Sequence, residues 1–135
     1  MRSVVRLTVA LICAALLSCA LIARADDQAP AKPLTEDEKI ERLIHTVDQL
    51  QDATFIRNGT EYDCHAAAKH MRDKWDYGRK KIKTAGDFID KVASKSSVSG
   101  KPYHIRFKDG RDVESGNFLR DELKKIEGED SPPSR

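Results

Sequence analysis

Residues 54–75 read TFIRNGTEYDCHAAAKHMRDKW and hold a turn dipeptide, one cysteine, two histidines and the only tryptophan. Thr54 to Arg57, Asn58-Gly59 and Thr60 to Tyr62 together predict a β-hairpin, because Asn-Gly tolerates the positive φ angles of a two-residue primed turn. That register sets Phe55 opposite Tyr62 and Arg57 opposite Thr60 on one face, an aromatic pair that anchors the hairpin. Asp63 then serves as the cap of a helix from about Cys64 to Asp76.

At about 100° per residue, Cys64, Ala67, Ala68, Met71 and Trp75 share one face of this helix, while His65 and His70 point to different sides. A metal site on one helix wants ligands three or four residues apart, and these spacings are five and six. The spacing predicts core for Cys64 and Trp75 and no metal site. The position of Cys64 in the first helical turn leaves a thiol role open as an alternative.

Upstream, Thr35-Glu36-Asp37-Glu38 predicts a capping box. Ile40, Leu43, Ile44, Val47 and Leu50 follow as one apolar stripe, with His45 on the solvated side. Downstream, Asp76 to Lys83 reads as a basic connector. Thr84 caps a third helix that carries Phe88, Ile89 and Val92. Tyr103, Ile105 and Phe107 alternate with His104, Arg106 and Lys108, the pattern of a half-buried strand. A three-residue loop with a glycine bulge at Asp109-Gly110 sets Val113 opposite Ile105. Ser115 is the expected cap of a last helix with Phe118, Leu119, Leu123 and Ile126 buried. The order helix, hairpin, helix, helix, hairpin, helix gives the α+β class, as a small single domain with about four helices and two β-hairpins.

The ends carry different signals. Arg2 and Arg6, the apolar run Leu7 to Ala23 and the motif Ala23-Arg24-Ala25 predict a signal peptide over residues 1–25. Leu16-Leu17-Ser18-Cys19 also reads as a lipobox, so a lipoprotein acylated at Cys19 remains an alternative, and an uncleaved anchor is a third. Residues 26–33 read as a linker, 34–127 as the domain and 128–135 as a disordered tail.

The chain has 24 basic and 22 acidic residues. Three of the basic ones, and no acid, lie before residue 26, so the rest carries a formal charge of −1. That balance argues against nucleic acid as a partner, whose binding rests on concentrated positive charge. Cys13 and Cys19 fall within the signal, leaving Cys64 without an internal disulfide partner.

No Cys-x-x-Cys, His-Glu-x-x-His or Gly-x-Ser-x-Gly occurs, and Gly100-Lys101 lacks the rest of a phosphate loop. The expectation is a protein that is not an enzyme, with no cofactor and no catalytic residue. The most suggestive surface is the serine loop after the third helix. Ser96, Ser97 and Ser99 offer hydroxyls, Lys101 a charge and Tyr103 a phenol, with Arg57 and Asn58 on the nearby hairpin as further binding candidates. The same loop can instead be a helix end stitched by serine-to-backbone hydrogen bonds.

The segments FIRNGTEY, CHAAAKHMRDKW and TAGDFIDKVASKSSVSGKPY resemble the YfeK-like family of small exported bacterial proteins of unknown function. The resemblance runs from about Glu38 to about Leu123. It implies a proteobacterial source and a periplasmic location, and brings no activity, cofactor or site residue. Ser99-Gly100-Lys101-Pro102-Tyr103 is also similar to the Ser-Gly-x-x-Tyr loop of periplasmic lysozyme inhibitors, which are β-rich barrels. The expectation is a non-enzymatic binding module of the cell envelope, exported to the periplasm, whose partner is an envelope protein or a cell-wall component. Membrane attachment follows only if Cys19 is lipidated. A lysozyme-inhibitor role of the Ser99–Tyr103 loop and a thiol or enzymatic role of Cys64 are the alternatives.

Overall fold

The computed structural model describes residues 32–129. The expected signal peptide, its Cys19 alternative and most of the linker and tail lie outside the described residues. Helix α1 (Glu36–Asp48) starts at the predicted capping box: Thr35 Oγ1 accepts from the Glu38 amide at 3.3 Å, and Glu38 Oε2 accepts from the Thr35 amide at 2.7 Å. Three acids in its first turn suit the positive end of the helix dipole. Its stripe of Ile40, Leu43, Ile44 and Val47 is buried, each such side chain contributing about 1.5–3 kcal/mol.

Strands β1 (Ala53–Arg57) and β2 (Thr60–Asp63) form the first hairpin, with Phe55 opposite Tyr62 and Arg57 opposite Thr60 as the turn chemistry predicts. Asn58 and Gly59 sit at φ +53° and +80°, the left-handed pair that a primed turn needs. Strands β3 (His104–Phe107) and β4 (Asp112–Glu114) form the second hairpin, with Val113 opposite Ile105. Its three-residue loop closes through the Phe107 amide donating to the Arg111 carbonyl at 2.8 Å and the Gly110 amide donating to the Phe107 carbonyl at 3.0 Å.

The two hairpins join through β1 and β3 into one antiparallel sheet of order β2-β1-β3-β4. The register lines up Tyr62, Phe55, Ile105 and Val113 as one apolar row across all four strands. Arg57 and Tyr103 lie two residues along on the same face. The opposite face is polar, with Arg106 bridging Glu61 and Asp112, and Asp112 meeting His104. One face covered and one solvated is the usual arrangement of an antiparallel sheet in a two-layer domain.

Helix α2 (Cys64–Gly78) is capped by Asp63, whose Oδ1 accepts from the Ala66 amide at 2.7 Å. Cys64, Ala67, Ala68, Met71 and Trp75 are its buried residues, as their shared face predicts. The helix runs two residues beyond the expected Asp76, and Ile82 in the supposed connector is buried. Helix α3 (Ala85–Phe88) begins at the predicted Thr84 cap and passes into a wide π-turn, Ile89–Ala93. Ser94 Oγ closes this turn by donating to the Ile89 carbonyl at 2.6 Å.

Helix α4 (Ser115–Glu129) departs from expectation at both ends. Ser115 is the first helical residue rather than a cap, and its buried Oγ has no hydrogen-bond partner. The strand β4 runs directly into the helix, so Glu114 stands in the position that Asp63 holds before α2, and Ser115 falls one residue inside the helix. Gly128 and Glu129, placed in the disordered tail by sequence, extend the helix. No helix among the described residues is long and apolar enough to cross a membrane.

Candidate functional site

The tip of the first hairpin docks on the serine loop. Ser99 Oγ donates to Asn58 Oδ1 at 2.6 Å, and Asn58 Nδ2 donates to Ser96 Oγ at 3.5 Å. Ser96 is buried, and its Oγ also accepts from the Val98 and Ser99 amides at 3.3 and 3.2 Å. The two ends of the loop are tied together by the Tyr103 amide, which donates to the Ser94 carbonyl at 2.8 Å. Stitching of this kind accounts for the serine content of the loop. Ser97, Lys101 and Val98 remain exposed on its outside.

Tyr103 requires a correction. The sequence places its phenol at the surface as a binding group, but the side chain is 3% exposed and packs on Phe55, ring centroids 5.5 Å apart. It lies on the same sheet face as Ile105, which carries it inward. Burial pushes its pKa up, while Arg57 and a hydrogen bond with Ser96 oppose that rise. A loop that keeps this ring in the core does not present it to a cleft, which removes the main feature of the lysozyme-inhibitor reading. Ser96 is likewise a structural hydroxyl rather than a free one.

Arg57 is the centre of what remains. It sits at the end of β1 on the covered face, with its guanidinium carbon 5.4 Å from the centre of the Tyr62 ring. Its Nη1 lies 2.5 Å from Nε2 of His70 on α2. An arginine only donates, so His70 accepts with a neutral ring protonated on Nδ1. Burial, then the charges of Arg57 and Lys74, hold the His70 pKa below the ordinary histidine value. Lys74 follows one turn later, half-buried, and burial and Arg57 depress its pKa also.

Among the described residues, neither Arg57 nor Lys74 forms an ion pair with a carboxylate. Their neighbours do: Lys69 meets Asp73 at 2.8 Å, and Arg72 meets Glu41 at 2.6 Å. An exposed lysine without a partner is merely solvated, whereas a half-buried one loses hydration without a compensating charge. Beside Arg57 lies a pocket of about 170 Å³, lined by Phe55, Tyr62, Ala66 and Ala67 with Arg57 and His70 at its edge.

The structure thus brings together Arg57, Asn58, Ser96, Ser99 and Tyr103 of the sequence candidates and leaves Ser97 and Lys101 on the loop's outer surface. Sequence reasoning missed His70 and Lys74. The signal for Lys74 was present: no acid stands three or four residues from it on either side, whereas Lys69 has Asp73 and Arg72 has Asp76.

The sulfur chemistry points elsewhere. Cys64 is buried, its Sγ donates to the Ala53 carbonyl at 3.4 Å, and burial together with Asp63 pushes its pKa up. No group of three or more His, Cys, Asp or Glu able to hold a metal ion occurs among the described residues. His65 bonds Asp48 at 2.6 Å on the opposite side of α2 from His70.

Comparison with known proteins gives a family without an activity. The protein "Uncharacterized protein YfeK" of Salmonella typhimurium is 46% identical over 68 residues, which cover 50% of this chain and 57% of the relative. The match thus spans little more than half the length of that curated relative. No solved structure matches. The family of unknown function DUF5329 matches residues 34–127, from the start of α1's cap to the last turn of α4. The chain belongs to this YfeK-like family.

Proposed function

We propose that the protein is a non-enzymatic binding module of the bacterial envelope, and that it binds through the cleft between the first hairpin and α2. The observation that carries this reading is Arg57, a half-buried positive charge without a carboxylate partner at the edge of an apolar pocket. Such a site lowers its own free energy by taking an anion. Export rests on the sequence of residues 1–25 and on the resemblance to exported proteins. A thiol mechanism would need a thiolate within reach of water, and the raised pKa and burial of Cys64 work against it.

The test places a photo-crosslinking amino acid at Ser97, on the outer surface of the serine loop, and at Lys124, on the outer surface of α4. Envelope fractions are irradiated and adducts identified by mass spectrometry. The expected result is an adduct from position 97 that Arg57→Gln abolishes and none from position 124. Equal adducts from both, or an adduct insensitive to Arg57, overturns the reading. Recovery of the protein by osmotic shock with Asp26 as its first residue is expected, and an acylated Cys19 at the N-terminus would refute soluble export.

A further inference from the structure

The cleft's ligand can be narrowed by chemistry, given the reading of it as a binding site. Three features constrain the ligand. The positive charge on the pocket's lining is carried by Arg57 alone, since His70 accepts a hydrogen bond from Arg57 and is neutral while it does so. One such charge balances a single negative charge better than a dianion. The pocket wall is apolar, formed by the faces of Phe55 and Tyr62 and the methyl groups of Ala66 and Ala67. Its volume of about 170 Å³ is below the roughly 300 Å³ at which sites for whole small-molecule ligands begin. It therefore admits a small terminal group rather than a ring system.

The neighbouring groove between α1 and α2 does not share these properties. It is lined by Ile44 and Ala68, but its rim charges are internally matched, Glu41 with Arg72 and Asp48 with His65. An anion entering there would have to displace an existing carboxylate. At Arg57 it would displace only water, because the His70 contact occupies one guanidinium nitrogen and leaves the others free.

We propose that this pocket binds a small aliphatic carboxylate, with the carboxylate on Arg57 and the short alkyl group against Phe55, Tyr62, Ala66 and Ala67. The same chemistry is presented by the C-terminal residue of a peptide ending in a small side chain and by a free short-chain acid. In either case the ligand's charge pairs with Arg57, and the imidazole of His70 stands beside a new negative charge. Binding is then coupled to proton affinity: the anion favours the protonated ring, so the His70 titration shifts upward.

The test is a titration followed by NMR, using N-acetyl-alanyl-alanine, its C-terminal amide, propionate and inorganic phosphate. The expected result is saturable shifts at His70, Arg57 and Ala67 with the free-acid peptide, a weaker or absent response to the amide, and an upward move of the His70 titration midpoint in the bound state. Arg57→Gln should weaken binding about ten- to a hundredfold, the loss of one charge-assisted hydrogen bond. Arg57→Lys, which keeps the charge, should restore part of it. Thermal melts of each variant separate loss of the site from loss of the fold. Propionate binding as tightly as the peptide assigns a free acid as the source, and a clear preference for the peptide assigns a chain terminus. Equal binding of acid and amide, saturation by phosphate with no response to carboxylates, or shifts confined to Ile44 and Ala68 each overturn the inference. If carboxylates fail while the crosslink at position 97 still depends on Arg57, the ligand class is wrong and the binding reading stands; if both fail, both fall.

Discussion

Ser99 Oγ donates to Asn58 Oδ1 at 2.6 Å, joining the tip of the first hairpin to a loop 41 residues later. Each of these residues reads in the sequence as a surface group free to meet a ligand. In the fold they satisfy each other, and the Ser99 side chain also accepts from the Lys101 amide at 3.4 Å. A double-mutant cycle of Asn58→Ala and Ser99→Ala in urea melts should give a coupling of about 0.5–1.5 kcal/mol, the usual net value of such a bond. Additive effects within error would show that the tip and the loop do not meet in solution.

Trp75 is the largest side chain of the core and 1% exposed. It meets the edge of Phe88 with centroids 6.4 Å apart and planes at 75°, the geometry in which ring quadrupoles attract. Arg79 lies over its other side, 4.0 Å from the ring centre. Trp75→Ala should cost about 3–5 kcal/mol, the range for deleting a large buried aromatic. Arg79→Ala should cost far less, since its guanidinium is in water. A loss below about 1 kcal/mol for Trp75→Ala in urea melts would contradict the packing.

How much of this was legible follows from the range of each interaction. The hairpin registers were readable because Asn58-Gly59 and Asp109-Gly110 fix the turn, and the turn fixes which residues face each other. The cap at Thr35 and the stripes of α1 and α2 were readable for the same local reason. The pairing of β1 with β3 was not, because it joins segments separated by two helices and no local chemistry specifies it. That pairing is what turns Tyr103 inward beside Phe55. It also places Arg57 on the face that α2 covers. His70 points away from the buried stripe, so the helical period marks it as surface, and only the neighbouring hairpin makes it part of a cleft. Ser115 was misread because a serine before an apolar stripe looks like a cap, whereas here the helix starts at Ser115 itself.

His70 makes the protein's acid response testable. Its folded pKa lies below the ordinary value of 6.5 because burial and the charges of Arg57, Lys74 and Lys69 disfavour the proton, with only Asp73 opposing. As pH falls through that ordinary value, the unfolded chain takes the proton first. The stability tied to neutral His70 is therefore complete above about pH 6.5 and is lost as pH falls through the folded pKa. His70→Gln keeps an acceptor for Arg57 but cannot titrate. Between pH 7 and pH 5 the wild-type melting temperature should fall further than that of the variant. Parallel curves would mean that burial and the charges around His70 do not hold it neutral in the folded protein.

Ser115 tests the start of α4 with an outcome of opposite sign to the one that its sequence position suggests. A serine that caps a helix loses about 1 kcal/mol of stability on change to alanine. Here the Oγ is fully buried and has no partner, while the backbone amide is already committed to the Tyr103 carbonyl at 2.8 Å. The hydroxyl therefore brings a desolvation cost of about 1–3 kcal/mol without a hydrogen bond to offset it. Alanine occupies nearly the same space, keeps the amide bond and favours the helix. Ser115→Ala should leave the midpoint of urea unfolding unchanged or raise it, and Ser115→Val should lower it by crowding a closed site. A fall in stability of about 1 kcal/mol or more for Ser115→Ala would show that the hydroxyl has a partner after all, either a bound water or a capping amide, and that α4 begins as the sequence first suggested.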